Sequence, residues 1–69
     1  MTTPTITRHG DGSYTVVHDG ITYRIMYSQT LGWTIYTGPQ LDIVQTNNGF
    51  ATNYQSAEDA VEDLTGVRP

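Results

Sequence analysis

Acid–base or metal chemistry in this 69-residue chain has to come from seven carboxylates and two histidines, because cysteine is absent. Four of the carboxylates, Glu58, Asp59, Glu62 and Asp63, fall in one short stretch, while His9 and Asp11 share a His-Gly-Asp-Gly run and His18 and Asp19 a His-Asp-Gly run. Nucleophilic catalysis would need a Ser or Thr activated by one of these histidines and oriented by a third group, and neither histidine lies in a recognisable motif of that kind. Paired carboxylates could do acid–base work, but on a solvated helix they keep ordinary pKa values and ionise together. The spacings of His9, Asp11, His18 and Asp19 match no zinc or calcium loop. The glycines begin no G-x-G-x-x-G fingerprint, and no G-K-S/T occurs. The expectation is a non-catalytic chain with no cofactor and no metal site, in which His9 belongs to a turn and His18 to a strand end.

The elements around those residues are mostly strands. Ser13 to His18 and Ile21 to Tyr27 are rich in β-branched and aromatic residues and are separated by Asp19-Gly20, a two-residue spacer suited to a type I′ hairpin. With that turn, His18 faces Ile21, Val16 faces Tyr23 and Tyr14 faces Ile25. One face then carries Tyr14, Val16, His18, Ile21, Tyr23, Ile25 and Tyr27 as the expected core. The other carries Thr15, Val17, Thr22, Arg24 and Met26. Thr5 to Arg8 reads as a short edge strand before the His-Gly-Asp-Gly turn, and Met1 to Pro4 as a loose end. Trp33 to Tyr36 reads as a third strand of the main sheet, with Trp33 and Ile35 joining the core, and Leu41 to Val44 as a further short strand. Asn47-Asn48-Gly49 is a turn signal, and Phe50 restarts an apolar segment.

Ser56 is placed to cap a helix over Ala57 to Leu64, with Asp59 at the capping-box position and Gly66 as the C-terminal stop. Ala57, Ala60, Val61 and Leu64 form one apolar stripe, so the helix docks by that side. Its acids are spaced i, i+4 as Glu58 and Glu62, and as Asp59 and Asp63, and like charges at that spacing repel. The fold expected is α+β: a small antiparallel sheet of three to four strands with one C-terminal helix packed on one face, a single domain over residues 1–69.

A chain this short buries only about 60% of its unfolded surface. Without cysteine it depends on packing, for which five tyrosines, Trp33 and Phe50 are the supply, or on self-association. A monomer and a homodimer both satisfy that requirement. No apolar run is long enough for a membrane span and the start lacks the basic and apolar regions of a signal peptide, so a cytoplasmic location and no membrane contact are expected. Net charge is −4. The excess is the helix cluster, since Asp11, Asp19 and Asp42 balance Arg8, Arg24 and Arg68. Three scattered arginines and no lysine argue against nucleic-acid binding.

Two surfaces are candidates for a protein partner. The acidic helix face, Glu58, Asp59, Glu62 and Asp63, could steer a basic partner. The second sheet face, Val17, Arg24, Met26 and Tyr36, would be the patch left open if the helix covers the other side.

The hairpin, the Trp-bearing third strand, Gly49-Phe50-Ala51-Thr52 and Ser56-Ala57-Glu58-Asp59-Ala60 together resemble, over about fifty residues, the three-strand-plus-helix DNA-binding units of integrase arm-type and AP2-type domains. That resemblance implies the element order and, as an alternative function, a nucleic-acid-binding regulator using Arg8, Arg24 and Arg68. Those domains read DNA with Arg and Lys on the sheet, where this chain supplies Arg24. In its small size, absence of lysine and cysteine and Thr-rich start, the chain is also similar to small accessory proteins of bacteriophages of high-GC actinobacteria. That likeness implies expression in a bacterial cytoplasm and a role in modulating a host or phage protein. The function expected is a protein-binding accessory module; a structural homo-oligomer is a further alternative.

Overall fold

The computed structural model describes residues 3–46, 49 and 52–69. Five strands, β1 (Thr5–Arg8), β2 (Tyr14–His18), β3 (Ile21–Ser28), β4 (Gly32–Thr37) and β5 (Asp42–Ile43), precede one helix, α1 (Ala57–Thr65). They form a single antiparallel sheet in chain order, β1-β2-β3-β4-β5. The expected α+β class is therefore observed, with five strands where three to four were expected. The extra count arises at the edges: Thr5–Arg8 joins the sheet as β1, and the expected strand over Leu41 to Val44 contracts to the two residues of β5. The turn expected at Asn47-Asn48-Gly49 and the restart at Phe50 fall mostly outside the described residues.

The central hairpin follows from its turn. Asp19 and Gly20 have φ of 53° and 78°, the two positive values that a type I′ turn requires. His18 pairs with Ile21, Val16 with Tyr23 and Tyr14 with Ile25, as expected. Ser56 accepts a hydrogen bond from the Asp59 N–H at 3.1 Å and caps α1. Gly66, at φ 80°, closes the helix by donating its N–H to the Glu62 carbonyl at 2.7 Å.

α1 lies across β2, β3 and β4. Its small residues Ala57, Ala60 and Val61 meet Val16, Ile25 and Ile35, and all six are buried with Tyr14 in one cluster. Burying each aliphatic side chain from Val upward contributes roughly 1.5–3 kcal/mol. The nine residues of α1 span about 13 Å, whereas the eight of β3 span about 27 Å. The expected core face therefore overshoots at both ends: Ile21 is 47% and Tyr27 62% exposed. Tyr27 instead leans edge-on against its cross-strand partner Trp33, ring centroids 5.5 Å apart.

The free edge of β4 is taken up by the chain that follows it. Beyond β5, Val44, Asn53 and Tyr54 donate their N–H groups to the carbonyls of Ile35, Leu31 and Trp33 at 2.9, 2.7 and 3.2 Å. This approach needs Gly32, whose φ is 68° and whose missing Cβ would sit 3.3 Å from the Asn53 Cα. Gly20 also has positive φ but nothing within 4 Å of such a Cβ. Gly32→Ala is therefore expected to lower the urea midpoint more than Gly20→Ala, since only the first adds a tight approach to the Asn53 backbone to the conformational penalty of about 1–2 kcal/mol. Equal losses in the two variants would show that the return of the chain past β4 does not constrain Gly32.

Candidate functional site

The four helix carboxylates do not form a common outward patch. Tyr14, rising from β2, donates its hydroxyl to Glu58 Oε2 at 2.7 Å. Tyr54 donates to Asp63 Oδ2, and Thr46 Oγ1 donates to the same oxygen at 2.6 Å. On the outer side, Arg68 Nη1 reaches both Asp59 Oδ1 and Glu62 Oε1 at 2.9 Å. Two acids thus fasten α1 inward, to β2 and to the segment that follows β5. The other two hold the C-terminal tail, which Gly66 turns back along the helix. Asp59 is at the expected capping-box position, and its carboxylate is engaged by Arg68.

The Tyr14 contact also moves the pKa of Glu58, unlike the ordinary exposed carboxylate expected from sequence. The Tyr14 hydroxyl holds Glu58 below its usual range, aided by a backbone hydrogen bond and by the fields of Arg8 and Arg68. The Tyr14 hydroxyl is correspondingly pushed up, first by its hydrogen bond to Glu58. Burial, followed by the hydrogen bond to Asp63, pushes Tyr54 up to about 12. Each phenol is thereby stabilised in the neutral form that donates its proton to a hydrogen bond.

The face of the sheet away from α1 carries the other expected residues, Val17, Arg24, Met26 and Tyr36, and brings them together. Cross-strand pairing sets Thr7, Thr15, Arg24, Tyr36 and Ile43 in one row across all five strands. Thr5, Val17 and Thr22 form a second row, and Met26 lies opposite Thr34. Arg24 and Val17 are exposed, Met26 and Tyr36 half-buried. Thr34 is the buried member of this face, its hydroxyl hydrogen-bonded to the Leu31 and Gly32 carbonyls of the β3–β4 turn. Ile43, 49% exposed beside Tyr36, belongs to this surface although sequence reading passed it over. Its neighbours identify it only once the two-residue β5 is known to pair.

The three arginines are divided by the sheet. Arg24 stands on the open face, Arg8 pairs with Tyr14 in the row that faces α1, and Arg68, in the C-terminal tail, lies against α1. His9, in the β1–β2 turn, contacts the Thr15 hydroxyl at 2.6 Å, and His18 ends β2 with Nε2 3.6 Å from Asp19 Oδ2. The two histidines thus flank opposite ends of β2. No group of three or more His, Asp or Glu side chains converges on a common point among the described residues. No helix is long and apolar enough to cross a membrane among the described residues. Comparison with protein-family models, curated proteins and solved structures finds no match to this chain.

The tethers predict opposite pH limbs. Glu58, with its folded pKa below the ordinary 4.5, contributes stability above that value, and the contribution disappears as pH falls through the lowered folded value. Tyr54, raised from 10.0 to about 12, contributes fully below 10.0 and loses that contribution as pH rises through about 12. In urea unfolding across pH, the advantage of the wild type over Glu58→Gln should shrink on the acid side, and again at alkaline pH as Tyr14, raised by the same bond, ionises. Its advantage over Tyr54→Phe should shrink on the alkaline side, as pH rises through about 12. Parallel pH profiles for wild type and both variants would contradict the assignment.

Proposed function

We propose that this chain is a non-catalytic, cytoplasmic protein-binding module that meets its partner through the uncovered sheet face, with Arg24 at the centre of the contact. One contrast carries the reading. Each acid of α1 has a partner within the chain, whereas on the opposite face a guanidinium without a carboxylate partner among the described residues stands between exposed and half-buried apolar side chains. Desolvated arginine flanked by tyrosine and aliphatic surface is the composition that carries binding energy at protein interfaces. The partner role thus rests on Val17, Arg24, Met26 and Tyr36, and Glu58, Asp59, Glu62 and Asp63 act chiefly as tethers. An accessory role, modulating another protein of the same cell or of a phage, follows from the likeness in size and composition.

A nucleic-acid role would draw on Arg8, Arg24 and Arg68, which do not share a surface, and no observation on the fold favours it. The test is affinity capture from the cytosol of the producing cell, with the captured protein identified and its complex measured by titration. Arg24→Glu combined with Met26→Asp should weaken that complex by about a hundredfold or more, since truncated interface anchors typically cost at least ~2 kcal/mol. Asp59→Asn combined with Glu62→Gln should leave it within about threefold, as expected for solvent-exposed charges. The reverse ranking, with both variants folded by circular dichroism, would return the interface to the helix.

A further inference from the structure

At the end of the sheet beside the β2–β3 turn, Thr22 and Arg24 of the open face and Ile21 of the helix side border a common trough whose lining defines what it can take. The β3–β4 ladder begins at Tyr23 and Thr37, so Ile21 and Thr22 have ladder partners on the β2 side, and on the β4 side the Thr37 hydroxyl donates to the Thr22 carbonyl at 3.2 Å. Past Thr37 the chain leaves the sheet through Gly38 and Pro39. Between these segments lies an open trough of about 580 Å³ lined by Ile21, Thr22, Arg24, Thr37, Pro39 and Leu41. Its walls are aliphatic: Ile21 is 47% and Leu41 40% exposed. Leu41 is held at φ 55°, a left-handed conformation that leucine rarely adopts, and its N–H donates to the Gly38 carbonyl at 3.2 Å.

Arg24 is the one ionisable side chain in this lining. No carboxylate pairs with it among the described residues. A guanidinium is a planar fork that matches a carboxylate with two parallel hydrogen bonds, and it remains charged at any working pH. Apolar walls beside one unpaired positive charge complement a single negative charge flanked by aliphatic groups. The chain's net charge of −4 works against more heavily charged ligands such as polyphosphates or nucleic acid.

We propose that this trough is a docking site for an acidic peptide segment of another protein, in which a Glu or Asp carboxylate meets Arg24 and neighbouring aliphatic side chains lie against Ile21, Pro39 and Leu41. The proposal rests on the protein-binding reading above and adds the chemistry of the occupant. Ile21 and Leu41 then have a common purpose, for neither contributes to the core under α1.

The test titrates the 15N-labelled full chain with the blocked peptide Thr-Ile-Glu-Leu-Thr and with its Gln-for-Glu and Lys-for-Glu counterparts. The Glu peptide should shift the amides of Gly20, Ile21, Thr22, Gly38 and Leu41. Affinity should fall about tenfold or more with the Gln peptide, and by a similar factor when the Glu peptide meets Arg24→Gln, as loss of a charge-assisted hydrogen bond implies. Leu41→Ser should weaken binding of all three peptides while keeping the preference for Glu. Equal binding of the Glu and Gln peptides, or no shift in the trough, overturns the proposal. Shifts confined to Val17, Met26 and Tyr36 overturn the trough yet keep the open face as a protein surface. No shift anywhere on that face, together with a captured complex indifferent to Arg24→Glu and Met26→Asp, overturns both readings.

Discussion

The structure depends on one contact: the stripe of Ala57, Ala60 and Val61 against Val16, Ile25 and Ile35. The two alanines and the valine present little bulk, so the helix backbone comes close to the sheet, and the large side chains of the interface are contributed by the strands. A nine-residue helix is too short to be stable by itself in water, where isolated helices below about 12–15 residues are marginal. The sheet makes the helix, and the helix decides which part of the sheet is dry. Beyond its reach, Ile21 and Tyr27 on its own side and Val17, Arg24 and Ile43 on the opposite face are left to solvent or to a partner.

A helix this short has few side chains with which to fix its position, and the acids serve that purpose. Glu58 is tied to a strand residue 44 positions earlier in the chain, and Asp63 to Thr46 and Tyr54 in the segment that follows β5. The i, i+4 acid pairs would repel one another on a bare helix. Arg68 offsets that repulsion by lying between Asp59 and Glu62. What reads in sequence as a cluster of like charge is, in space, three separate fastenings.

The parts legible in the sequence were those fixed by local chemistry. Asp19-Gly20 dictates a turn, the turn dictates a register, and the register sorts Tyr14, Val16 and Ile25 from Thr15, Val17 and Arg24 without any long-range information. Ser56 and Gly66 bound the helix in the same local way. The parts not legible were those decided at a distance. The fate of the acids depends on tyrosines and an arginine whose proximity no spacing rule announces. Leu41 adopts a conformation for which its residue type gives no signal, and β5 is too short to show alternation. The open face was legible as a face, but its trough was not, because it arises where β3 outlasts β4.

The two margins of the sheet are unequal. At one side β5 is only two residues long and the chain beyond it occupies the remaining carbonyls of β4; at the other, β1 pairs with β2 alone among the described residues. A ladder of main-chain hydrogen bonds can be extended from β1 and has almost nothing to grip at β5. Polymerisation by strand addition needs two competent margins on every unit, one to receive and one to offer. Copies that join through β1 use up the longer of the two margins among the described residues. Strand addition through β1 therefore favours a pair over an open-ended fibre.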